Sequence, residues 1–538
     1  MRFFRERRRA AGRGAGFMGR YPGDGPHAGT GGLNMEPAGT WFSGPTSLSF
    51  WDYGFLVVAL TLMLLLAWRK GRQEATTKDF FLGGRAIPWW VAGLAFVATE
   101  ISAMTVIGVP AQSCRENWNY IQFFLGSALA RLVIAFLFIP AFQQCQCSTI
   151  YEYLDLRFGW RTRFTASLFF FLARLLASGV RLMVACLAVS VILGWSIIPV
   201  IVLFCGIGML YIGYGGVKAV AWTGALQVLT FLCAGLATVA FLLWQIDGGW
   251  VTVWQVAGAA GRLEIWNMGS AFSDPEFLRK IFFGSNILWV ALLSGFFGSL
   301  AVFGTDHEMM QKLLIVRTRW ESQKAVLLSI AVSFVLLFLF LAAGSCLYSY
   351  YAVNPGLVLP ESLDRIYPHF MVTAMPGLLR GLVLTAIVMA SIDLPLSSLS
   401  AVFVIDVYRP LFKLFKREAD GQRDLTVARA AIVVFALLLG IIACFLSYHD
   451  GILWLAFKIG GVTSGPLLGV FLFGLLTARR ADRASAAVML LLGAVNAALL
   501  YFSETGAFPL GWNWLGILGT GAAFACCWLL GPRLDPVL

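Results

Sequence analysis

Residues 325–343 read AVLLSIAVSFVLLFLFLAA and contain no charged side chain. An apolar run of about 20 residues is long enough for a helix to cross a hydrocarbon core roughly 30 Å thick. Similar runs recur along nearly the whole chain, and they are continuous rather than alternating, which argues against a membrane β-barrel. With 59% hydrophobic residues, 13% charged residues and a mean hydropathy of +0.79, the sequence predicts an all-α polytopic membrane protein.

Hydropathy divides the chain into about 13 predicted membrane-spanning helices. Short polar segments separate them, and two of the joins, near 193–196 and 447–451, are brief enough to be mistaken for continuous helix. The predicted spans are 50–68, 88–110, 120–142, 162–193, 196–214, 219–245, 282–304, 323–350, 376–404, 425–447, 451–477, 484–502 and 511–531.

Lysine and arginine are concentrated in alternate loops, which predicts the orientation because such loops are retained on the cytoplasmic side. The basic loops all fall on one side if the first span enters from outside. We therefore predict an integral, multi-pass protein of the plasma or bacterial inner membrane, with its N-terminus outside and its C-terminus in the cytoplasm. The residues concerned are Arg69, Lys70, Arg72, Arg85, Arg157, Arg161, Arg163, Lys312, Arg317, Arg319, Lys324, Arg409, Lys413, Lys416, Arg417, Arg479, Arg480 and Arg483.

The arginine-rich segment at residues 1–20 conflicts with this orientation, since it would lie outside. It is either a genuine basic arm or an over-extended reading frame with the true start at Met18 or Met35. We favour the second interpretation because a strongly basic tail resists translocation. Residues 1–47 are predicted to be a polar, disordered extension whose start codon is doubtful.

The composition gives little support to an enzyme or a metalloprotein. Most of the ten cysteines lie in apolar spans, where cysteine packs as a small core residue. Cys145 and Cys147 form an isolated C-x-C without a nearby histidine, so we predict no metal beyond a coupling ion and no cofactor. The net charge of +12 is attributed to the cytoplasmic loops, which indicates membrane topology and not a nucleic-acid partner. Membrane lipid is an expected partner; the oligomeric state is left open.

Ionisable residues inside predicted spans are costly in lipid and are therefore the first candidates for function. Each of them could instead form an internal ion pair or lie nearer the interface. For Arg131 and Arg174 we favour the ion pair. The candidates considered are Glu100, Arg131, Arg174, Arg181, Asp393 and Lys458.

Six sequence blocks together resemble the sodium/solute symporter family. They stand in the family's order and cover roughly residues 75–480. The blocks are TTKDFFLGGRAIPWWVAG (76–93), YEYLDLRFG (151–159), GGVKAVAWTGALQ (215–227), GTDHEMMQK (304–312), LPLSSLSAVFVIDVYRP (394–410) and SGPLLGVFLFGLLT (464–477).

The resemblance implies a LeuT-like fold, in which two inverted five-helix repeats hold ion and solute at helix breaks near the midplane. It also implies the domain organisation. The expected divisions are a peripheral first helix at 48–72, the first repeat at 73–246, the second repeat at 247–480 with an extracellular loop at 247–280, and two peripheral helices at 481–538.

The family's sodium site maps onto backbone carbonyls and hydroxyls, the oxygen ligands that hard cations prefer. The matching residues are Ala98, Ile101, Ile387 and Ser391. A neighbouring hydroxyl position is Ala390, so one oxygen is missing. Asp393 could replace it or could carry a proton, and Glu100 is the other carboxylate considered for ion or proton coupling. Gly224 stands where many members have an aspartate linked to a second sodium, which favours one cation per solute.

The resemblance assigns the solute site to Arg181, Phe303 and Lys458. Val302 and Lys458 replace an aromatic gate and a glutamine of sugar-transporting members, so an organic anion is favoured over a sugar. Arg181 is expected either to pair with Glu100 or to bind the solute, and Lys458 either to bind the solute or to pair permanently with Glu100 or Asp393.

The sequence thus predicts a secondary active transporter that couples sodium influx to the uptake of a small organic anion by alternating access. Two alternatives stay open. One is a proton-coupled symporter, and the other is a solute sensor or channel on the same scaffold without coupled transport.

Overall fold

The computed structural model describes residues 49–71, 77–269, 274–275, 277, 287–357, 363–414, 421–447, 452–505 and 513–531. Every regular element within these residues is a helix. In chain order, the helices are α1 (Phe50–Gly71), α2 (Thr77–Leu82), α3 (Trp89–Glu100), α4 (Ala103–Arg115), α5 (Tyr120–Val133), α6 (Ile139–Gln144), α7 (Ile150–Phe158), α8 (Trp160–Leu193), α9 (Ile197–Gln245), α10 (Gly249–Ala259), α11 (Leu288–Gly304), α12 (His307–Leu314), α13 (Arg319–Val353), α14 (Leu363–Thr373), α15 (Gly377–Ile392), α16 (Leu396–Val402), α17 (Arg409–Leu414), α18 (Gly421–Ser447), α19 (Ile452–Leu476), α20 (Asp482–Glu504) and α21 (Asn513–Leu530). A short 3₁₀ turn at Gly83–Arg85 follows α2, and π-helical turns at Ile134–Phe138 and Phe403–Tyr408 join α5 to α6 and α16 to α17.

The predicted fold class, an all-α polytopic membrane protein, is confirmed. Eight helices in the described residues are long and apolar enough to cross a membrane, or ten if each bent helix pair is one span. One of the eight is α9, whose 49 residues would reach about 74 Å at roughly 1.5 Å per residue, more than twice a hydrocarbon core. A break at Gly216, with φ 50° and ψ −148°, divides α9 where the sequence predicts a loop between two spans. The total of about 13 spans stays a prediction.

Two helix pairs are bent sharply, one bend lying in the middle of the predicted span 88–110 and the other just after the predicted span 282–304. The chain turns by 61° between α3 and α4, and by 66° between α11 and α12. At the first bend, Ser102 is extended and begins α4 with a capping box to Thr105. At the second, the Asp306 carboxylate accepts a hydrogen bond of 2.8 Å from the backbone N–H of Glu308. These local caps stabilise the new helix starts, so each bend leaves polar backbone in the protein interior.

A buried ion pair ties α1 to the start of α15. The guanidinium of Arg380 donates from Nε to Asp52 Oδ1 at 3.0 Å and from Nη2 to Oδ2 at 2.6 Å. Ser49 also donates its backbone N–H to the same carboxylate. The two helices approach closely at Gly381, where an added Cβ would lie 2.9 Å from the Cα of Asp52. The first helix is therefore fixed to the helix that carries Ser391.

The predicted orientation can be checked with an impermeant thiol reagent. Trp320, near the start of α13, and Trp254, in α10, are 70% and 62% exposed. We expect Trp254→Cys to be labelled in intact cells, and Trp320→Cys to be labelled only after permeabilisation. Gln323 is unsuitable because it is buried and donates a hydrogen bond to the carbonyl of Ala135. Labelling of Trp320→Cys in intact cells would reverse the orientation.

Candidate ion and solute site

A small cavity lies where three parts of the chain meet. It is bounded by the start of α4, the middle of α8 and the end of α15. Serine hydroxyls, two guanidinium groups and one carboxylate face a space walled otherwise by apolar side chains. The lining residues are Ser102, Ala103, Arg174, Ser178, Arg181, Leu182, Ala390, Ser391, Asp393, Leu394 and Pro395.

The break after α3 removes the helical hydrogen-bond donors of two backbone carbonyls beside this cavity, those of Ala98 and Thr99. The N–H of Ser102, which would otherwise bond to the carbonyl of Ala98, donates instead to the Thr105 hydroxyl at 3.4 Å. The carbonyl of Thr99 accepts a hydrogen bond of 2.9 Å from Nη2 of Arg181. Ala98 and Ile101, two of the predicted cation ligands, are buried on either side of Thr99. Unsatisfied carbonyl oxygens of this kind are suited to a cation that has lost its water.

A further break, at Asp393, lies inside the span predicted at 376–404. Asp393 leaves the helical conformation, with φ −71° and ψ 79°, and α16 begins only after Pro395. Proline has no N–H, so the carbonyl of Ser391 loses its helical donor. The N–H of Leu394 donates to the carbonyl of Ile392 at 2.8 Å, and therefore is not available to Ala390. The carbonyls of Ala390 and Ser391 are thus freed next to the cavity.

The other two predicted cation ligands, Ile387 and Ser391, are brought together on α15. The hydroxyl of Ser391 donates to the carbonyl of Ile387 at 2.6 Å, and Ser391 also lines the cavity. The neighbouring carbonyl of Met389 is already occupied, because it accepts a hydrogen bond of 2.7 Å from Nε2 of Gln227. Oxygen atoms from two broken helices therefore border one small space, although Ala390 provides no hydroxyl.

Asp393 provides the cavity's carboxylate. Its Oδ1 accepts a hydrogen bond of 3.4 Å from the hydroxyl of Tyr211, which is buried on α9. The sequence singled out Asp393 but gave no sign of Tyr211, Ser102 or Ser178. Serine and tyrosine are common in membrane helices, so only the packing identifies these three as neighbours of the cavity or of Asp393.

The predicted ion pair between Glu100 and Arg181 is wrong. Glu100 pairs with Arg131 of α5 and accepts a hydrogen bond of 2.7 Å from the hydroxyl of Ser333 on α13. Glu100 is the last residue of α3, and the bend that follows separates its side chain from the cavity. Its carboxylate is held by Arg131 and Ser333, and its role in ion or proton coupling stays a prediction. Arg131 accordingly confirms the predicted internal ion pair.

Phe303 belongs to the same structural network. Its ring lies 5.3 Å from that of Phe96, and the guanidinium of Arg131 lies 4.8 Å from its centroid. The residue is buried and is not among those that line the cavity. Its predicted contact with solute is therefore not seen in this arrangement, and a role in the site remains a prediction.

Arg181 differs from the three buried arginines of the described helices. Arg131 pairs with Glu100, Arg174 with Asp306 and Glu308, and Arg380 with Asp52. Arg181 faces the cavity, donates to the Thr99 carbonyl, and has no carboxylate within ion-pair distance among the described residues. A guanidinium presents five N–H donors in a planar fork that matches a carboxylate. The site thus offers an anion a partly unsatisfied arginine.

Arg174 lines the cavity and is held there by a network of ion pairs. Arg174 lies seven residues before Arg181 on α8, which is about 10 Å nearer the predicted cytoplasmic side. It bonds to Asp306 at 3.2 Å and more closely to Glu308, and Lys312 lies 3.3 Å from Glu308. The predicted internal pairing of Arg174 is confirmed. The sequence block GTDHEMMQK contained these partners, but only their packing against α8 shows this pairing.

Two further predicted positions are Lys458 and Gly224. Lys458 falls within α19, but its side chain lies outside the described residues. Gly224 packs against α3, since a Cβ there would lie 3.0 Å from the Cα of Ala95 and 3.3 Å from the Cβ of Ala98. An aspartate at 224 would therefore press on the helix that carries the first cation ligands.

Comparison with solved structures defines the class of protein. The fold is similar to that of a substrate-bound, outward-open Na⁺-coupled sialic acid symporter, with a TM-score of 0.77 and 23% sequence identity, covering 90% of this chain and 100% of the other. It is also similar to the nucleobase-cation-symport-1 transporter Mhp1 in a closed conformation, with a TM-score of 0.51 and 15% identity over 83% of this chain and 92% of the other. The broken helices and the cavity between them are those of a LeuT-like transporter.

The family follows from the sequence comparisons. The model of the sodium:solute symporter family matches residues 80–493. The sodium/sialic acid symporter SiaT of Proteus mirabilis is 27% identical over 503 residues, covering 90% of this chain and 96% of the relative. Human sodium-coupled monocarboxylate transporter 1 is 27% identical over 439 residues, covering 79% of this chain and 69% of the relative. This chain belongs to the sodium:solute symporter family and is a sodium-coupled secondary transporter.

Proposed function

We propose that the protein takes up a small organic anion together with one sodium ion, and that Arg181 binds the carboxylate of the anion. The observation that carries the proposal is that Arg181 faces the cavity without a carboxylate partner among the described residues. Two relatives have names that refer to carboxylic acids, sialic acid and monocarboxylates. A cavity in which one guanidinium has no carboxylate partner among the described residues suits this substrate class better than it suits a neutral sugar.

The proposed cation site uses the carbonyls of Ala98 and Ile101 with Ile387 and the hydroxyl of Ser391. Asp393 lies two residues beyond Ser391 and lines the same cavity. Its carboxylate, with the carbonyls of Ala390 and Ser391 freed at the break at Asp393, would replace the hydroxyl that Ala390 lacks. A cation needs about six such oxygens, so this contribution compensates for a thin set of ligands.

Charge balance in the cavity explains how anion and cation would be coupled. Arg181 and Asp393 already offset each other within the same space. Adding an anion alone, or a cation alone, would leave one uncompensated charge where the dielectric constant is low. Adding both preserves neutrality. One cation per monoanionic solute is therefore the favoured stoichiometry, and Glu100, occupied by Arg131, is not needed for it.

The deciding experiment is uptake into proteoliposomes of purified full-length protein. Labelled sialic acid and lactate serve as anionic probes, and a neutral hexose as the control. We expect anion uptake to require an inward sodium gradient. Uptake that ignores sodium, follows a proton gradient and is lost in Asp393→Asn would establish proton coupling instead. Binding without accumulation under any gradient would favour a sensor or channel.

Replacing Ser391 with alanine should weaken sodium binding. Removal of one ligand oxygen from an already thin set leaves the cation under-coordinated, at a cost of about 1–3 kcal/mol, or roughly 5- to 150-fold in apparent affinity. Sodium dependence of uptake measures this change, and expression should be unaffected. Ser398→Ala is a matched control because that hydroxyl donates to the carbonyl of Pro395 and does not line the cavity. Equal sodium affinity in both variants would exclude Ser391 as a ligand.

A further inference from the structure

A second, shallow groove lies at the face that the charge pattern predicts to be cytoplasmic. It is formed where α7 turns into α8 and where α20 begins. The hydroxyls of Thr162 and Ser485, 2.7 Å apart, hold α8 and α20 together beside it. Nothing in the transport cycle proposed above uses this groove.

Three arginines line the groove, and two of them form no hydrogen bond or ion pair with another described residue. Arg157 donates from Nε to the carbonyl of Gly474 at 3.2 Å and from Nη2 to the carbonyl of Thr477. Arg161 and Arg480 are exposed, and neither has a hydrogen bond or ion pair to another described residue. Two cationic forks are therefore presented together at one concave surface.

The acidic residues of the groove do not cancel this charge. Asp155 bonds to Arg163 at 3.0 Å and is only partly offset, because that guanidinium also pairs with Glu152 and Asp406. In the lining itself, three arginines face two carboxylates. Asp482 is the other carboxylate of the lining and opposes the arginines. The groove therefore keeps a net positive charge, with Asp482 as the residue that limits it.

The groove opens onto an apolar surface of helix α8. Trp160 borders the groove and is 66% exposed, and exposed side chains follow it at four-residue intervals at Phe164, Leu168 and Leu172. Residues four apart lie on one helix face, so they form a continuous ridge towards the membrane interior. Tryptophan is enriched where headgroups meet acyl chains. A polar groove followed by an apolar ridge is complementary to a phospholipid, which has a polar headgroup and apolar acyl chains.

We propose that this groove binds the headgroup of an anionic phospholipid of the cytoplasmic leaflet. The phosphate bonds to Arg161 and Arg480, whose planar forks suit phosphate oxygens, and an acyl chain lies along the ridge from Trp160 to Leu172. Because Arg157 joins the groove to the end of α19, bound lipid also stabilises the position of that helix.

The test uses purified full-length protein in detergent, with phosphatidylglycerol as the probe and phosphatidylcholine as the zwitterionic comparison. We expect phosphatidylglycerol to raise the thermal midpoint by several degrees and phosphatidylcholine to have much less effect. The double variant Arg161→Gln/Arg480→Gln should lose at least half of that rise. Asp482→Asn should increase the rise, because it removes the opposing charge.

The matched control is Arg317→Gln/Arg319→Gln, which removes two exposed arginines from the same predicted face but outside the groove. It should keep the full lipid effect. An equal rise in the groove variant and the parent protein would overturn the proposal. So would a full rise produced by inorganic phosphate at the same concentration, because the groove would then be a site for a soluble anion. Retained transport in the double variant shows that it is folded.

Discussion

Arg181→Gln should reduce uptake of the organic anion by at least about 30-fold. Removing one partner of a buried, hydrogen-bonded charge pair costs about 2–5 kcal/mol, and a solute carboxylate in the cavity would be left without its cation. The protein should stay folded, because the carbonyl of Thr99 is the sole hydrogen-bond acceptor of Arg181 among the described residues. Uptake of labelled solute and a thermal midpoint on the same preparation measure the two quantities.

Two variants separate charge from shape at this position. Arg181→Lys keeps the positive charge but loses the planar fork, so we expect partial activity and weaker affinity. Lys458→Gln tests the other predicted cation, whose side chain lies outside the described residues. Unchanged solute affinity in Arg181→Gln, together with loss of affinity in Lys458→Gln, would transfer the anion site to Lys458.

The second large effect is expected at Arg174. Arg174→Gln removes the arginine partner of Asp306 and Glu308 and leaves Lys312 3.3 Å from Glu308, and breaking a buried ion pair in this way costs about 3–5 kcal/mol. The loss should appear as a lower thermal midpoint. Since Arg174 lines the cavity, the variant should also loosen that wall of the cavity.

A double variant shows whether the cost comes from an orphaned charge. Arg174→Gln/Glu308→Gln leaves Asp306 and Lys312, which balance each other. We expect it to recover at least half of the stability lost in Arg174→Gln. If the stability losses of the two single substitutions add in the double variant, Arg174 and Glu308 are not energetically coupled, and their ion pair does not stabilise the protein.

The sequence predicted the helices because their apolar runs are long and uncharged, as at 325–343, which lies within α13. It also located Ser391 and Asp393. It missed the break at Asp393, although Pro395 follows within two residues and was visible in the span 376–404. Apolar flanking residues concealed that signal.

Ion-pair partners were harder to predict because they are set by packing between distant helices. Glu100 could pair with Arg131 or Arg181 by composition alone. The bend after α3 decides between them, since it directs Glu100 to α5 and the Thr99 carbonyl to Arg181. The hydroxyl of Ser333, 233 residues from Glu100, completes that network and has no local sequence signature.

The bond between Asp52 and Arg380 has a consequence for biosynthesis. The two residues are 328 positions apart, so at about 5–20 residues per second the first helix waits roughly 16–66 seconds before its partner is made. During that interval the carboxylate of Asp52 has no guanidinium to meet it, and α1 has no fixed place beside α15. The contacts of α1 with α9, which is made much earlier, can form first, and the bond to Arg380 is among the last contacts of this helix to form.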